Sequence, residues 1–176
     1  LHDGVGTHIS SAIRQLQSGH ADQRALLDTL RDSMDQLKLS LDGLGTPPGD
    51  VGALLANLRY RLEPRFAGSD LRLEWDVAPI APVERMDANA MRHLQYMLFE
   101  ALSNVLQHAQ ASKLTIHASQ GPEGTLLRIV DDGCGFDPAS AQQRGLRAMR
   151  ERAAAIGASL QLRSEPGQTV VELKMA

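Results

Sequence analysis

Leu27, Leu30, Met34, Leu37, Leu41 and Leu44 follow one another at spacings of 3, 4, 3, 4 and 3. Apolar residues in that rhythm form a coiled-coil seam, a stripe along one side of a helix that other helices must cover. Two antiparallel helices alone cover such a seam poorly. The stretch before it supplies one helix, because Val5, Ile9, Ile13 and Leu16 recur at spacings of 4, 4 and 3. SGHAD (18–22) between them reads as a turn, with Asp22 as N-cap of the second helix. Two arrangements would satisfy the seam: a bundle within the chain, or a dimer in which two antiparallel hairpins make four helices. The dimer is the better reading, since residues 1–45 have no third long helix to spare.

LGTPPGD (44–50), with two prolines and two glycines, ends this pattern and marks a boundary. VGALLANLRYRLEPRF (51–66) then reads as a short helix that stops near Pro64. Beyond it LRLEWDV (71–77) alternates apolar and polar residues as a strand does. A long helix over 87–110 follows, then strands KLTIHAS and TLLRIVD, a helix over about 144–156, and strands ASLQLRS and TVVELKM. The order β-α-β-β-α-β-β predicts an α+β fold with helices layered on a mixed sheet. Three segments result: 1–45 helical, 46–69 a linker with a connecting helix, and 70–176 the α+β domain. A net charge of −3 and 3% aromatic residues exclude a basic or stacking surface for direct nucleic-acid binding. The single cysteine, Cys134, makes no internal disulfide, which fits a reducing compartment. No apolar run reaches the roughly 18 residues of a membrane span. The chain begins without Met and reads as a cytoplasmic piece of a longer protein, whose inner-membrane anchor, if it has one, lies elsewhere.

Three segments carry chemistry. In DANAMRHLQYMLFEALSNVLQHAQ (87–110), Met91, Leu94, Leu98, Ala101, Leu102, Val105 and Ala109 gather on one helical face. His93, Tyr96, Glu100, Asn104, Gln107 and His108 gather on the other. Such a face is ordinarily just solvated, yet this one has no lysine and collects a carboxylate, two amides and two imidazoles. Glu100 and Asn104, four residues apart, are spaced to share a Mg²⁺ ion or a water. In IVDDGCGFDP (129–138) a strand runs into Asp131, then Gly133 and Gly135. A carboxylate there can accept from an exocyclic amine, and the glycines let a ligand approach the backbone; Asp-Gly is equally a common turn pair. In QQRGLRAMRERAAAIGASL (142–160), Gly145 and Leu146 open a helix whose N-terminal amides suit an anion, or simply precede an Arg-rich amphipathic helix. Neither the dinucleotide fingerprint nor a P-loop occurs.

The succession E-x-x-x-N on a helix, D-x-G-x-G after a strand, G-L-x-x-M-R-E-R on a helix, then a turn and Thr169 resembles one known domain. It is similar to the Bergerat-type ATP-binding domain shared by gyrase, heat-shock chaperones, mismatch-repair proteins and sensor histidine kinases, over residues 70–176. LHDGVG at the N-terminus, EALSNVLQHAQAS and GLRAMRERA resemble the kinase branch that pairs with nitrate- and desaturase-type response regulators. That resemblance implies a dimeric four-helix bundle from residues 1–45, followed by a two-layer α/β sandwich.

It further implies ATP and Mg²⁺ as cofactors and His2 as phosphoacceptor, whose phosphoryl group passes to an aspartate in the receiver domain of a response regulator. Asp3 would hold the proton on the other ring nitrogen. Asn104 would be the Mg²⁺ ligand, and Glu100 would orient water or polarise the nucleophile. Asp131 would read the adenine amino group, Gly133 and Gly135 would admit the base, and Thr169 would help that contact. Residues Phe136 to Gly145 would form a short lid over the phosphates. Gln107 stands where many relatives have Lys or Arg, which weakens one phosphate contact or passes it to His108. Ala148 replaces a common glycine, and Thr7 takes the place of a glutamine used in dephosphorylation. Two alternatives follow: a catalytically degraded nucleotide- or partner-binding module, and an anti-sigma-type serine kinase. The helical residues 1–44 argue against the second.

Overall fold

The structure, a computed structural model, describes residues 3–19, 22–135 and 143–176, with backbone alone at 3–5, 7, 8, 143 and 144. His2 and most of the expected lid, residues 136–142, lie outside it. The chain divides into two compact units, Leu1–Gly45 and Thr46–Ala176.

The first unit holds helices α1 (Asp3–Gln17) and α2 (Gln23–Gly43), which pack on one another. As its sequence position suggests, the Asp22 carboxylate caps α2 by accepting from the Arg24 N–H at 3.0 Å. Gly19, at φ +68°, makes the turn after α1. The seam is not the buried side of α2. Asp32, Ser33, Gln36 and Leu39 are buried instead, with the Ser33 hydroxyl donating to the Thr29 carbonyl. The six seam residues are 43–77% exposed, as are Ile9, Ile13 and Leu16 of α1 at 41–58%. The six residues are exposed together, and one copy of the chain leaves that stripe open.

In the second unit Asp50 caps α3 (Val51–Ala67) through the Ala53 N–H at 2.9 Å. The expectation that this helix stops near Pro64 needs correction, because it runs one turn further. Proline forfeits the bond its own N–H would make and crowds the carbonyl four residues earlier, a cost met here within one turn of the helix end. Burial of Phe66 and the Gly68 N–H donating to the Pro64 carbonyl (3.1 Å) hold the extra turn.

The sheet comprises β1 (Arg72–Val77), β2 (Lys113–Gly121), β3 (Gly124–Asp131), β4 (Ser159–Glu165) and β5 (Gln168–Met175) in the order β1-β2-β3-β5-β4. β1 and β2 are parallel and the other pairs antiparallel. Helices α4 (Ala88–His108) and α5 (Gln143–Ala155) pack on the sheet and on each other. Alternation decides which side chains they cover: Leu114, Ile116 and Ala118 on β2, Leu127 and Ile129 on β3, Val171 and Leu173 on β5. The intervening positions form the opposite face, where Asp76 meets His117 at 2.7 Å and Arg128 meets Glu172 at 2.6 Å. The fold is α+β with a mixed sheet. Asp131 and Thr169 continue the covered alternation and are register partners on β3 and β5. Two polar residues thereby come to stand beneath the helices.

Candidate functional site

A cleft opens at that polar end of the covered face, enclosing about 530 Å³ with its mouth included. α4 supplies Ala101, Asn104, Val105 and His108; β3 supplies Ile129 and Asp131; Gly135 follows from the loop. α5 contributes Leu146 and Met149, β4 contributes Leu162, and β5 contributes Thr169 and Val171. Apolar walls with a few convergent polar groups are what a small-molecule site requires. Of the residues singled out from sequence, Asn104, His108, Asp131, Gly135, Leu146 and Thr169 share this cleft. Glu100, Gly133 and Gly145 are not among the residues that line it. The side chain of Asp3 is outside the description, like His2.

Asp131 is 5% exposed, and its carboxylate accepts from the Gly133 N–H at 2.9 Å. Burial raises its pKa above the ordinary carboxylate value; the Gly133 N–H opposes this, and the charge of Asp132 adds to it. A buried carboxylate with spare acceptor capacity is built for a ligand that donates hydrogen bonds. Asp132, by contrast, faces outward and accepts from the backbone N–H groups of Ser112 and Lys113, each at 2.8 Å. It pins the loop after β3 to the start of β2.

The glycines act by close approach. A Cβ at position 133 would lie 2.2 Å from the Ala109 carbonyl oxygen at the end of α4, where the Cys134 N–H donates at 2.8 Å. Gly135, at φ +74°, passes so near β4 that a Cβ would sit 3.0 Å from the Ser164 hydroxyl. The Gly167 N–H in the β4–β5 turn donates to the Gly133 carbonyl at 2.8 Å. The loop is therefore clamped between the end of α4 and the outer hairpin, with Asp131 at its root.

The polar face of α4 is divided between two uses. Its C-terminal half, Asn104 and His108, lines the cleft, while Gln107 donates to the Ser103 hydroxyl at 3.3 Å. Its N-terminal half serves packing. Arg152 of α5 lies 3.7 Å from the Tyr96 ring centroid and within 3.1 Å of the His93 Nδ1. Burial, then the Arg152 charge, lowers the His93 pKa, so the neutral ring accepts from the guanidinium. Nearer the cleft, Gly145 brings the first turn of α5 against Glu100.

Among the described residues no group of three or more His, Cys, Asp or Glu side chains converges as a metal cage. Asn104 offers a hard carboxamide oxygen within the cleft, which suits Mg²⁺ held partly by a ligand's own phosphates. No described helix is long and apolar enough to cross a membrane.

Residues 89–176 match the family described as histidine kinase-, DNA gyrase B- and HSP90-like ATPases. The sensor histidine kinase LiaS of Bacillus subtilis is 32% identical, the match covering 99% of this chain and 51% of the relative. The sensor protein VraS of Staphylococcus saprophyticus is 44% identical over 99% of this chain and 52% of its own length. The chain thus spans about half the length of these curated relatives. Among solved structures, the histidine kinase AdeS of Acinetobacter baumannii aligns with a TM-score of 0.65 at 20% identity, covering 98% of this chain and 96% of that one. With the matched region starting at α4 and containing the whole cleft, the chain belongs to the histidine kinase-, DNA gyrase B- and HSP90-like ATPase family as a histidine kinase ATP-binding core.

Proposed function

We propose that the chain is the catalytic core of a sensor histidine kinase that binds ATP with Mg²⁺ and autophosphorylates on His2. The observation that carries this is Asp131, a buried carboxylate at the root of a glycine loop, facing a cleft shared with Asn104 and Thr169. Asp131 accepts from the exocyclic amine of adenine, and the bare backbone at Gly135 leaves room for the ring. Asn104 and His108 face the phosphates, and Glu100, one turn before Asn104, orients the nucleophile or a water. Bound at Asn104 and the phosphates, Mg²⁺ would neutralise charge there.

In the transfer, a ring nitrogen of His2 forms a bond to the γ-phosphorus while the bond to the bridging oxygen breaks, and ADP leaves with that electron pair. Asp3 holds the proton on the other ring nitrogen. The phosphoryl group then moves to an aspartate in the receiver domain of a response regulator. Residues 1–45 serve as the dimerisation and phosphoacceptor piece, 46–69 as connection and 70–176 as the ATP domain. The open seam of α2 and the apolar stripe of α1 support a homodimer that makes a four-helix bundle. Covering what remains exposed of each seam residue is worth about 1 kcal/mol. The core acts in the cytoplasm, with the full-length protein anchored in the inner membrane.

A second reading, a nucleotide-binding module with degraded catalysis, draws on Gln107, which bonds to Ser103 along α4 and brings no positive charge to the phosphates. Calorimetry with ATP, with and without Mg²⁺, tests the binding site common to both. The expected result is Mg²⁺-strengthened binding, reduced at least tenfold in Asp131→Asn, whose amide would set donor against donor. Equal binding by the two proteins would remove Asp131 from the base contact.

A further inference from the structure

Thr169 stands in the cleft with Asp131 as its register partner on one side, and on the other side its partner is Ser164 of β4. These three residues form one row across β3, β5 and β4. The Ser164 and Thr169 hydroxyl oxygens are 2.9 Å apart, a hydrogen bond in which either is able to donate. Thr169 is 8% exposed, so its hydroxyl has little water to fall back on. Ser164 is half-buried and does not line the cleft itself.

A threonine hydroxyl has one proton and two lone pairs, and the χ1 angle decides whether oxygen or methyl faces a neighbour. A partner at 2.9 Å fixes both: it selects the rotamer and occupies one hydrogen-bonding direction. What remains of the Thr169 hydroxyl is then oriented before any ligand arrives. Without the partner, Thr169 is free to exchange oxygen for methyl in a cleft that has few polar groups to spare.

We propose that Ser164 is a positioning residue for the nucleotide, acting through the Thr169 hydroxyl and not by contact with the ligand. This rests on the reading of the cleft as an adenine-nucleotide site. The rival role for Ser164 is purely structural, bracing the Gly135 loop, and the two separate in a double-mutant cycle.

The test is calorimetric titration of the whole chain with ADP, using wild type, Ser164→Ala, Ser164→Thr, Thr169→Ala and the double alanine variant, with thermal unfolding of each as a check on folding. Loss of one neutral hydrogen bond predicts about fivefold weaker binding for Ser164→Ala. Ser164→Thr, which restores a hydroxyl, should return to within about twofold of wild type on the same reasoning. The double variant should bind no worse than Thr169→Ala alone, since the serine then has nothing to orient. Unchanged affinity in Ser164→Ala overturns the proposal, and so do losses that multiply in the double variant. If wild type binds no ADP, the adenine reading itself falls and takes the proposal with it. Binding by wild type with a silent Ser164→Ala leaves that reading standing and removes only the positioning role.

Discussion

Asp131 and Asp132 are adjacent, yet one is buried with a single backbone donor and the other lies outside with two backbone N–H groups and a hydroxyl, all from Ser112 and Lys113. Their pKa values move in opposite directions from 3.8, Asp131 upward through burial and Asp132 downward through the Ser112 hydrogen bond first. An acid with a raised folded pKa loses stability as pH climbs from its unfolded value through the folded one, and the loss persists at neutral pH. An acid with a lowered pKa contributes stability above its unfolded value and loses it as pH falls through the folded one. Asp131→Asn should therefore raise the melting temperature at pH 7 while weakening nucleotide binding, because Asn keeps an oxygen for the Gly133 N–H and drops the buried charge. A melting temperature that falls would mean the carboxylate is better solvated than its burial implies. Resolving the two carboxyl titrations by NMR checks the directions themselves.

At the scale of elements, the glycines distinguish backbone contact from side-chain contact. At Gly133 a Cβ would meet the Ala109 carbonyl, which belongs to the helix end and cannot turn aside. Gly133→Ala should cost about 1–3 kcal/mol, as overpacking does, and detach the loop from α4. At Gly145 a Cβ would first meet the Glu100 Oε1, the far end of a flexible side chain and not backbone. Gly145→Ala should be close to neutral in stability, helped by about 1 kcal/mol of helix propensity, while moving Glu100. Urea unfolding of both variants makes the comparison, and equal losses would refute the distinction.

Much of this element-level arrangement was legible in the sequence. Alternation located the strands, the cap at Asp22 located a helix start, and D-x-G-x-G located the loop. What escaped is tertiary. Nothing local says that α5 sends Arg152 onto Tyr96 and His93, or that burial of Phe66 carries α3 through Pro64. Ser164 escaped for a similar reason, since its partner is named by strand register and not by spacing. Asp131 and Asn104 stand in short motifs whose residue types suggest a ligand, whereas Thr169 enters only through the resemblance; the structure brings all three to one cleft.

At the scale of the whole molecule, the two units divide the labour: one presents an open apolar seam and begins beside His2, the other holds the cleft. The seam predicts a dimer in solution. Met34→Lys, which puts a charge at the middle of the stripe, should shift sedimentation toward the monomer while leaving the sheet's unfolding unchanged; a dimer that persists would place the interface elsewhere. The task proposed for the cleft is chemical: it serves His2. Incubation of the chain with γ-labelled ATP and Mg²⁺ decides this. The expected outcome is label on the protein that is lost in acid, stable in base, and absent from His2→Gln; label that survives in His2→Gln would overturn the assignment.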